Sequence, residues 1–260
     1  MDNALLREDG YRRTRSTPVA GAGFIRIGLG DGLCHVGAKA IVMPARELEV
    51  CATIGLNGRP IATEAILDLV WPDSETARAR TCLKVHVHRI RARLGRRSAL
   101  FCSGERWSLG PDVTLDLWEW ERTANQAGRV PSTEPQRNAL FATFDALLAG
   151  PAPSLARSHL GCRLDMAFLE LLQLVGSALI DDAFARRDLA GAARLARSAI
   201  AVDPYRERWH EALIRAQVDQ GDLFAARSSL RSYQATLQAE LGEPLPKAIE
   251  SLLSKGASAV

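Results

Sequence analysis

Eight cations crowd one short stretch of this 260-residue chain: Arg78, Arg80, Lys84, Arg89, Arg91, Arg93, Arg96 and Arg97. The stretch reads ETARARTCLKVHVHRIRARLGRR, and Glu75 is its one acid. Grouped guanidinium and ammonium heads bind anions, through charge and through hydrogen bonds aimed at oxygen. The chain as a whole carries only +3, so the basicity is local. A narrow cationic rod on a near-neutral protein points to a polyanion, above all double-stranded DNA.

As a helix, at about 100° per residue, the stretch has two stripes. Leu83, Val87, Ile90 and Leu94 form the one that packs inward. Arg78, Cys82, Val85, His86, Arg89 and Arg93 form the one expected to point outward, flanked by Lys84, His88 and Arg91. An α-helix fits the major groove of B-DNA, where side chains reach base edges. Arg89 is the expected guanine reader, because a guanidinium bonds O6 and N7 together. Val85 is placed for a thymine methyl, and His86 for a base or a phosphate. Arg91, Arg93, Arg96 and Arg97 are expected on phosphates, which position without reading sequence. Arg106 is expected at the minor groove or the backbone.

Other chemistry finds little support. His86 and His88 diverge by about 200° on a helix, and no nearby Cys or carboxylate completes a metal site. Gly28-Leu29-Gly30-Asp31-Gly32 is too compact for a dinucleotide fingerprint and reads as a hairpin turn. GxSxG, P-loop, HExxH and CxxC patterns are absent from the sequence. Asp181 and Asp182 are adjacent, about 100° apart on a helix, and read as surface charge rather than an acid/base pair. No enzyme activity, cofactor or metal is expected. The five cysteines (Cys34, Cys51, Cys82, Cys102, Cys162) are scattered and fit reduced, buried thiols in a cytoplasm. No apolar run reaches the roughly 18 residues of a membrane span, and the first residues do not read as a signal peptide.

The elements that must position the basic helix follow from turn residues and periodicity. Phe24, Ile25 and Ile27 form a strand run, and strands resume from Cys34 to Val42. Pro44 opens a helix through Ile54, closed by Gly55 and Gly58. Thr63 is the expected N-cap of a second helix, Glu64 to Trp71, with Ile66, Leu67 and Val70 as its apolar stripe. Pro72 stops it. Asp73 or Ser74 caps the basic helix and Gly95 ends it. Strands at Leu100–Cys102 and Arg106–Leu109, joined by Ser103-Gly104-Glu105, complete a hairpin. The order is that of a helix-turn-helix followed by a wing.

After Pro111 the text is helical. Helices are expected around Leu117–Ala124, around Leu140–Leu148 and from Leu164 to Arg187, with a loop from Gly128 to Pro135. Asp188-Leu189 recurs 34 residues on as Asp222-Leu223, and Ala192, Arg197 and Ser198 recur as Ala226, Arg231 and Ser232. That offset is the period of tetratricopeptide helix pairs. Asp203-Pro204 breaks between pairs and Gly221 turns inside the second. Ala226, Leu230, Tyr233, Leu237 and Leu241 line one face. The fold class is mainly α with small β-sheets. It divides into a disordered tail (1–22), a winged-helix domain (23–111) and a tetratricopeptide-like domain (112–255).

GRPIATEAILDLVWPDSETARARTCLKVHVHRIRARLG resembles the winged helix of OmpR/PhoB-type regulators, and more narrowly that of the SARP family of antibiotic-pathway regulators. The WPD, the ARxxLKVxVxRIRxRLG run and a hairpin resembling FxxGERWSL carry the resemblance. LDLWEWER and the run from Ala199 to Leu253 resemble that family's bacterial transcriptional activator domain. The likeness lapses from Gly128 to Asp165. It implies a sequence-specific transcriptional activator that binds direct repeats near promoters as a head-to-tail homodimer and recruits RNA polymerase by protein contacts. No receiver domain is in view, so no control by phosphorylation is expected. The alternative is a tetratricopeptide protein–protein interaction scaffold without specific DNA readout. Deleting residues 112–260 and testing the remainder for DNA binding discriminates the two.

Overall fold

The computed structural model describes residues 24–127 and 133–257. The tail expected over 1–22 lies outside the described residues, as does most of the loop expected over 128–135. Two compact units divide the chain. One runs to Glu119 and adds Pro151–Leu164; the other holds Trp120–Gly150 and the residues from Asp165.

In the first unit, β1 (Ile25–Ile27), β2 (Leu33–Val36) and β3 (Lys39–Val42) form an antiparallel meander. The Gly28–Gly32 segment is the expected hairpin turn: Gly28 N–H donates to Leu33 O at 2.7 Å, and Gly32 has φ +71°. Helix α1 (Ala45–Leu56) then crosses the middle of the unit, with Leu48, Val50, Cys51, Ala52 and Ile54 buried. Gly55 does not close it. It lies in the last turn, where a Cβ would meet Leu115 Cδ1 at 2.4 Å; Asn57 and Gly58 (φ +67°) end the helix instead. Burial pushes the Cys34 thiol up to about 11 and the Cys51 thiol higher still, so both are inert packing groups.

A two-residue strand, β4 (Ile61–Ala62), leads into α2 (Thr63–Val70) and α3 (Thr76–Arg93). One 3₁₀ turn, Arg97–Ala99, joins α3 to β5 (Leu100–Ser103) and β6 (Arg106–Leu109). These strands form a three-stranded wing in the order β4-β6-β5. The wing turn has positive φ at both Gly104 (54°) and Glu105 (63°), the left-handed geometry that two-residue hairpins need. The run-on strand β7 (Val113–Leu115) was not foreseen; it pairs β1 in parallel and closes the sheet order β3-β2-β1-β7. Its three residues are all buried, so it lacks the alternation by which a strand is recognised.

From Asp116 the chain is helical: α4 (Asp116–Ala127), α5 (Glu134–Ala149), α6 (Pro153–Ala156), α7 (Gly161–Ala185), α8 (Leu189–Val202), α9 (Glu207–Asp219), α10 (Leu223–Glu240) and α11 (Lys247–Ala257). The short α6 belongs to the first unit, where Ala152, Leu155 and Leu160 are buried and Ala152 N–H donates to Leu29 O at 2.8 Å. Asp116 is also tied there. Its carboxylate accepts from Gly30 N–H (3.0 Å) and Leu117 N–H (2.7 Å), while burial raises its pKa. No helix of the described residues is long and apolar enough to cross a membrane.

The 34-residue repeat is visible in the second unit as two matched caps. Asp188 accepts from Gly191 N–H at 2.8 Å and Asp222 from Ala225 N–H at 2.9 Å, with nearly equal backbone angles. Arg187 (φ 57°) occupies the turn position that Gly221 (φ 80°) takes one repeat later. The second pair packs Ile214, Ala226, Tyr233 and Leu237 with Leu245 and Ile249. Leu241, expected on that face, is half exposed, whereas Leu245 belongs to the buried cluster. Asp182 departs from the surface reading: it is buried, with Arg137 Nε and Arg186 Nε at 2.8 and 2.9 Å. Asp181 is exposed and pairs with Arg208.

Candidate nucleic-acid interface

Local propensity alone would not hold α3 together. It lacks a side-chain N-cap: Glu75, rather than Asp73 or Ser74, stands at that position without a capping bond. Val85, Val87 and Ile90 are β-branched and disfavour helix by about 0.5 kcal/mol each. Packing decides the matter. Ala79, Leu83, Val87, Ile90 and Leu94 are each no more than 3% exposed, and burying a side chain the size of Leu or Ile contributes about 1.5–3 kcal/mol.

With that face inside, the exposed residues are Thr76, Ala77, Arg78, Thr81, Lys84, Val85, His88, Arg89, Ala92 and Arg93. Arg78, Lys84, His88 and Arg89 make no hydrogen bond or ion pair with a described residue. They are spread over about 16 Å of helix axis, at 1.5 Å per residue. Arg97, on the 3₁₀ turn, is likewise exposed and unpaired among the described residues.

Each flank of α3 is clamped. On the wing side, Arg80 is held by Glu64 and Glu105. Arg91 donates from Nε and Nη2 to Leu100 O at 3.2 and 2.7 Å and lies over the Trp107 ring at 5.9 Å. Thr63 serves the same junction. It is not the N-cap of α2, a position held by Ala62. Its N–H and hydroxyl both donate to Glu105 O at 2.9 Å, and its oxygen accepts from Trp107 Nε1 at 3.0 Å. On the α1 side, Arg93 Nε donates to the buried Glu47 carboxylate at 2.9 Å. His86 packs against Trp71 with ring centroids 5.7 Å apart, and Arg46 lies near the same indole at 5.8 Å. Burial lowers the His86 pKa, and its Nδ1 is enclosed without a partner among the described residues.

The outward stripe is therefore rotated from the one drawn through Cys82, His86 and Arg93. Cys82 is half-buried, His86 turns to Trp71 and Arg93 turns to Glu47. Lys84 and His88, expected on the flank, stand on the open side. That edge lies against neighbouring elements: the buried Glu47 carboxylate of α1 takes Arg93, and the Trp71 indole at the end of α2 takes His86. Arg96 pairs with Asp112 at 3.0 Å, and the exposed Arg106 donates to Pro60 O at 2.9 Å. Periodicity could not identify Glu47, Trp71, Thr63 and Glu105 as the clamps, because all lie outside the basic run.

The model of the family described as "Bacterial transcriptional activator domain" matches residues 115–255. The chain belongs to this family. The match covers the helices from α4 to α11 and bears out the likeness to the SARP regulators read from LDLWEWER and from the C-terminal run. Among solved structures, the chain is similar to Mycobacterium tuberculosis EmbR in complex with a low-affinity phosphopeptide. The TM-score is 0.76 at 18% identity, covering 90% of this chain and 65% of that one. The chain thus spans under two thirds of that neighbour's length, and the likeness extends the shared fold through the winged-helix unit. No curated protein matches. Members of this family are transcriptional activators, and this chain sets a small winged-helix unit before the helices that define them.

Proposed function

We propose that the chain is a sequence-specific DNA-binding transcriptional regulator, an activator, whose α3 enters the major groove. The observation that carries this reading is the open face of α3: Arg78, Lys84, His88 and Arg89 have no partner among the described residues, while the cations on both flanks are clamped. A protein gains nothing in stability by leaving cations in a row unpaired on a rigidly held helix; an anionic partner supplies the missing charge.

Arg89 reads guanine, Val85 (43% exposed) meets a thymine methyl, and His88 contacts a base edge or phosphate beside them. Arg78, Lys84 and Arg97 contact phosphates, and Arg106 contacts the backbone from the wing. Arg91, Arg93 and Arg96 act first by fixing the helix; His86 and Cys82 sit at the edge of the interface. The protein binds direct repeats as a head-to-tail homodimer and its helical domain recruits RNA polymerase. It acts in the cytoplasm, where the DNA is. A salt titration tests the interface. Affinity for a bound duplex should fall steeply with salt, and Arg78→Met should lower the log–log slope by about 1. A flat titration would contradict a phosphate-rich contact.

A further inference from the structure

A second cationic surface lies on α10, in the helical unit. Phe224, Arg227, Leu230 and Arg231 line an open groove of about 620 Å³. Phe224 is 80% exposed, an unusual state for so large an apolar ring, while Leu230 is partly buried against the Tyr233 core. Arg227 and Arg231 are exposed and pair with no acid among the described residues. From Leu223 to Ala239 α10 contains no acid at all, and neither does α8.

The internal repeat supplies the comparison. Arg197 on α8 is equivalent to Arg231, and Ala193 and Ala196 are equivalent to Arg227 and Leu230. Ala193 and Ala196 are buried, on a helix that packs against α5. On α10 the matching Arg227 is exposed and Leu230 only partly buried. The small residues of α8 suit permanent helix packing; the Phe, Leu and paired Arg of α10 suit an occupant that comes and goes and carries negative charge.

We infer that this groove docks an acidic amphipathic helix of a partner protein. Apolar side chains at i, i+3 or i+4, and i+7 cover Phe224 and Leu230, and flanking carboxylates meet Arg227 and Arg231 in charge-assisted, bidentate pairs. The inference does not need the α3 reading, because the groove and the basic helix lie in different units.

The test uses the full chain, without DNA, and a fluorescein-labelled 18-residue peptide built from Leu at helical spacing with Glu on its flanks. Anisotropy should report saturable binding. Binding should weaken about tenfold or more in Arg227→Ala/Arg231→Ala, and comparably for a peptide with Lys in place of Glu. Arg227→Lys/Arg231→Lys should keep more of the affinity than the alanine pair. Phe224→Ser, at an exposed site, should weaken binding with the melting temperature unchanged. This variant keeps the test decisive if the arginine variants unfold. Absence of binding, or equal binding of the Lys peptide, would overturn the proposal. So would displacement of the peptide by random-sequence duplex, which would make the groove a phosphate site. Conversion of a dimer to a monomer by Arg227→Ala/Arg231→Ala in sedimentation would assign the groove to a second copy and overturn it equally.

Discussion

Replacing Arg93 by methionine removes a guanidinium whose Nε lies 2.9 Å from Glu47 Oε2 but keeps most of its aliphatic stem. The Glu47 side chain is 3% exposed and that of Arg93 34%. At an effective dielectric of about 20 the gross attraction is on the order of 4–6 kcal/mol. Most of this is offset by the desolvation of Glu47 and by solvent screening at the open Arg93 end. The lost partner leaves a buried carboxylate that water reaches only from one side, so a net cost of about 1–3 kcal/mol is expected. Native-state hydrogen exchange at the α1 and α3 amides should read that loss as lower protection. Glu47→Gln in the Arg93→Met background should recover part of it, because the stranded charge is gone. DNA binding gives a second readout. If Arg93 is a clamp rather than a phosphate contact, Arg93→Met should change the salt slope by well under 1, whereas Arg78→Met changes it by about 1. Unchanged protection in Arg93→Met, or no recovery in the double variant, would refute the clamp.

Two further outcomes follow from the buried and strained groups. Burial lowers the pKa of His86 and of His210, the latter stacked on Tyr233 at 3.7 Å, so below the ordinary histidine value of about 6.5 the unfolded chain binds more protons than the folded one. Their contribution to stability is complete above about pH 6.5 and declines as pH falls below it. The urea midpoint should drop less between pH 7.5 and 5.5 in His210→Gln than in the unaltered protein, and an equal drop would contradict the sign. Arg187, at φ 57° in a turn where the second repeat has Gly221, should be improved by Arg187→Gly, by about 0.5–1 kcal/mol in urea unfolding; destabilisation would show that the Arg187 side chain contributes more than its backbone strain costs.

Much of this architecture is written locally in the chain. The wing hairpin, the Gly28–Gly32 turn and the α1 start at Pro44 are set by residues within a few positions of each other, and so are the paired aspartate caps of the repeat. What was not legible depends on residues far apart in sequence. β7 has no alternation and finds β1 across 88 residues. Thr63 looks like a cap until the Glu105 carbonyl, 42 residues later, claims its hydroxyl. The rotation of the outward stripe has the same origin. Periodicity gives the buried side of α3 correctly, but Glu47 pairs with Arg93 and Trp71 packs on His86 along one edge, so the open side centres on Thr81 and Val85 rather than on Cys82 and His86.

Selection of bound duplexes from a random-sequence pool, run in parallel with the unaltered protein and Arg89→Ala, tests the central claim most directly. The unaltered protein should enrich a repeated motif containing a preferred guanine. Arg89→Ala should lose preference at that guanine, by about 1–3 kcal/mol of discrimination, while keeping the flanking positions. Enrichment of no motif by the unaltered protein, or the same motif with the same guanine preference in Arg89→Ala, would contradict the assignment of α3 as the reading helix.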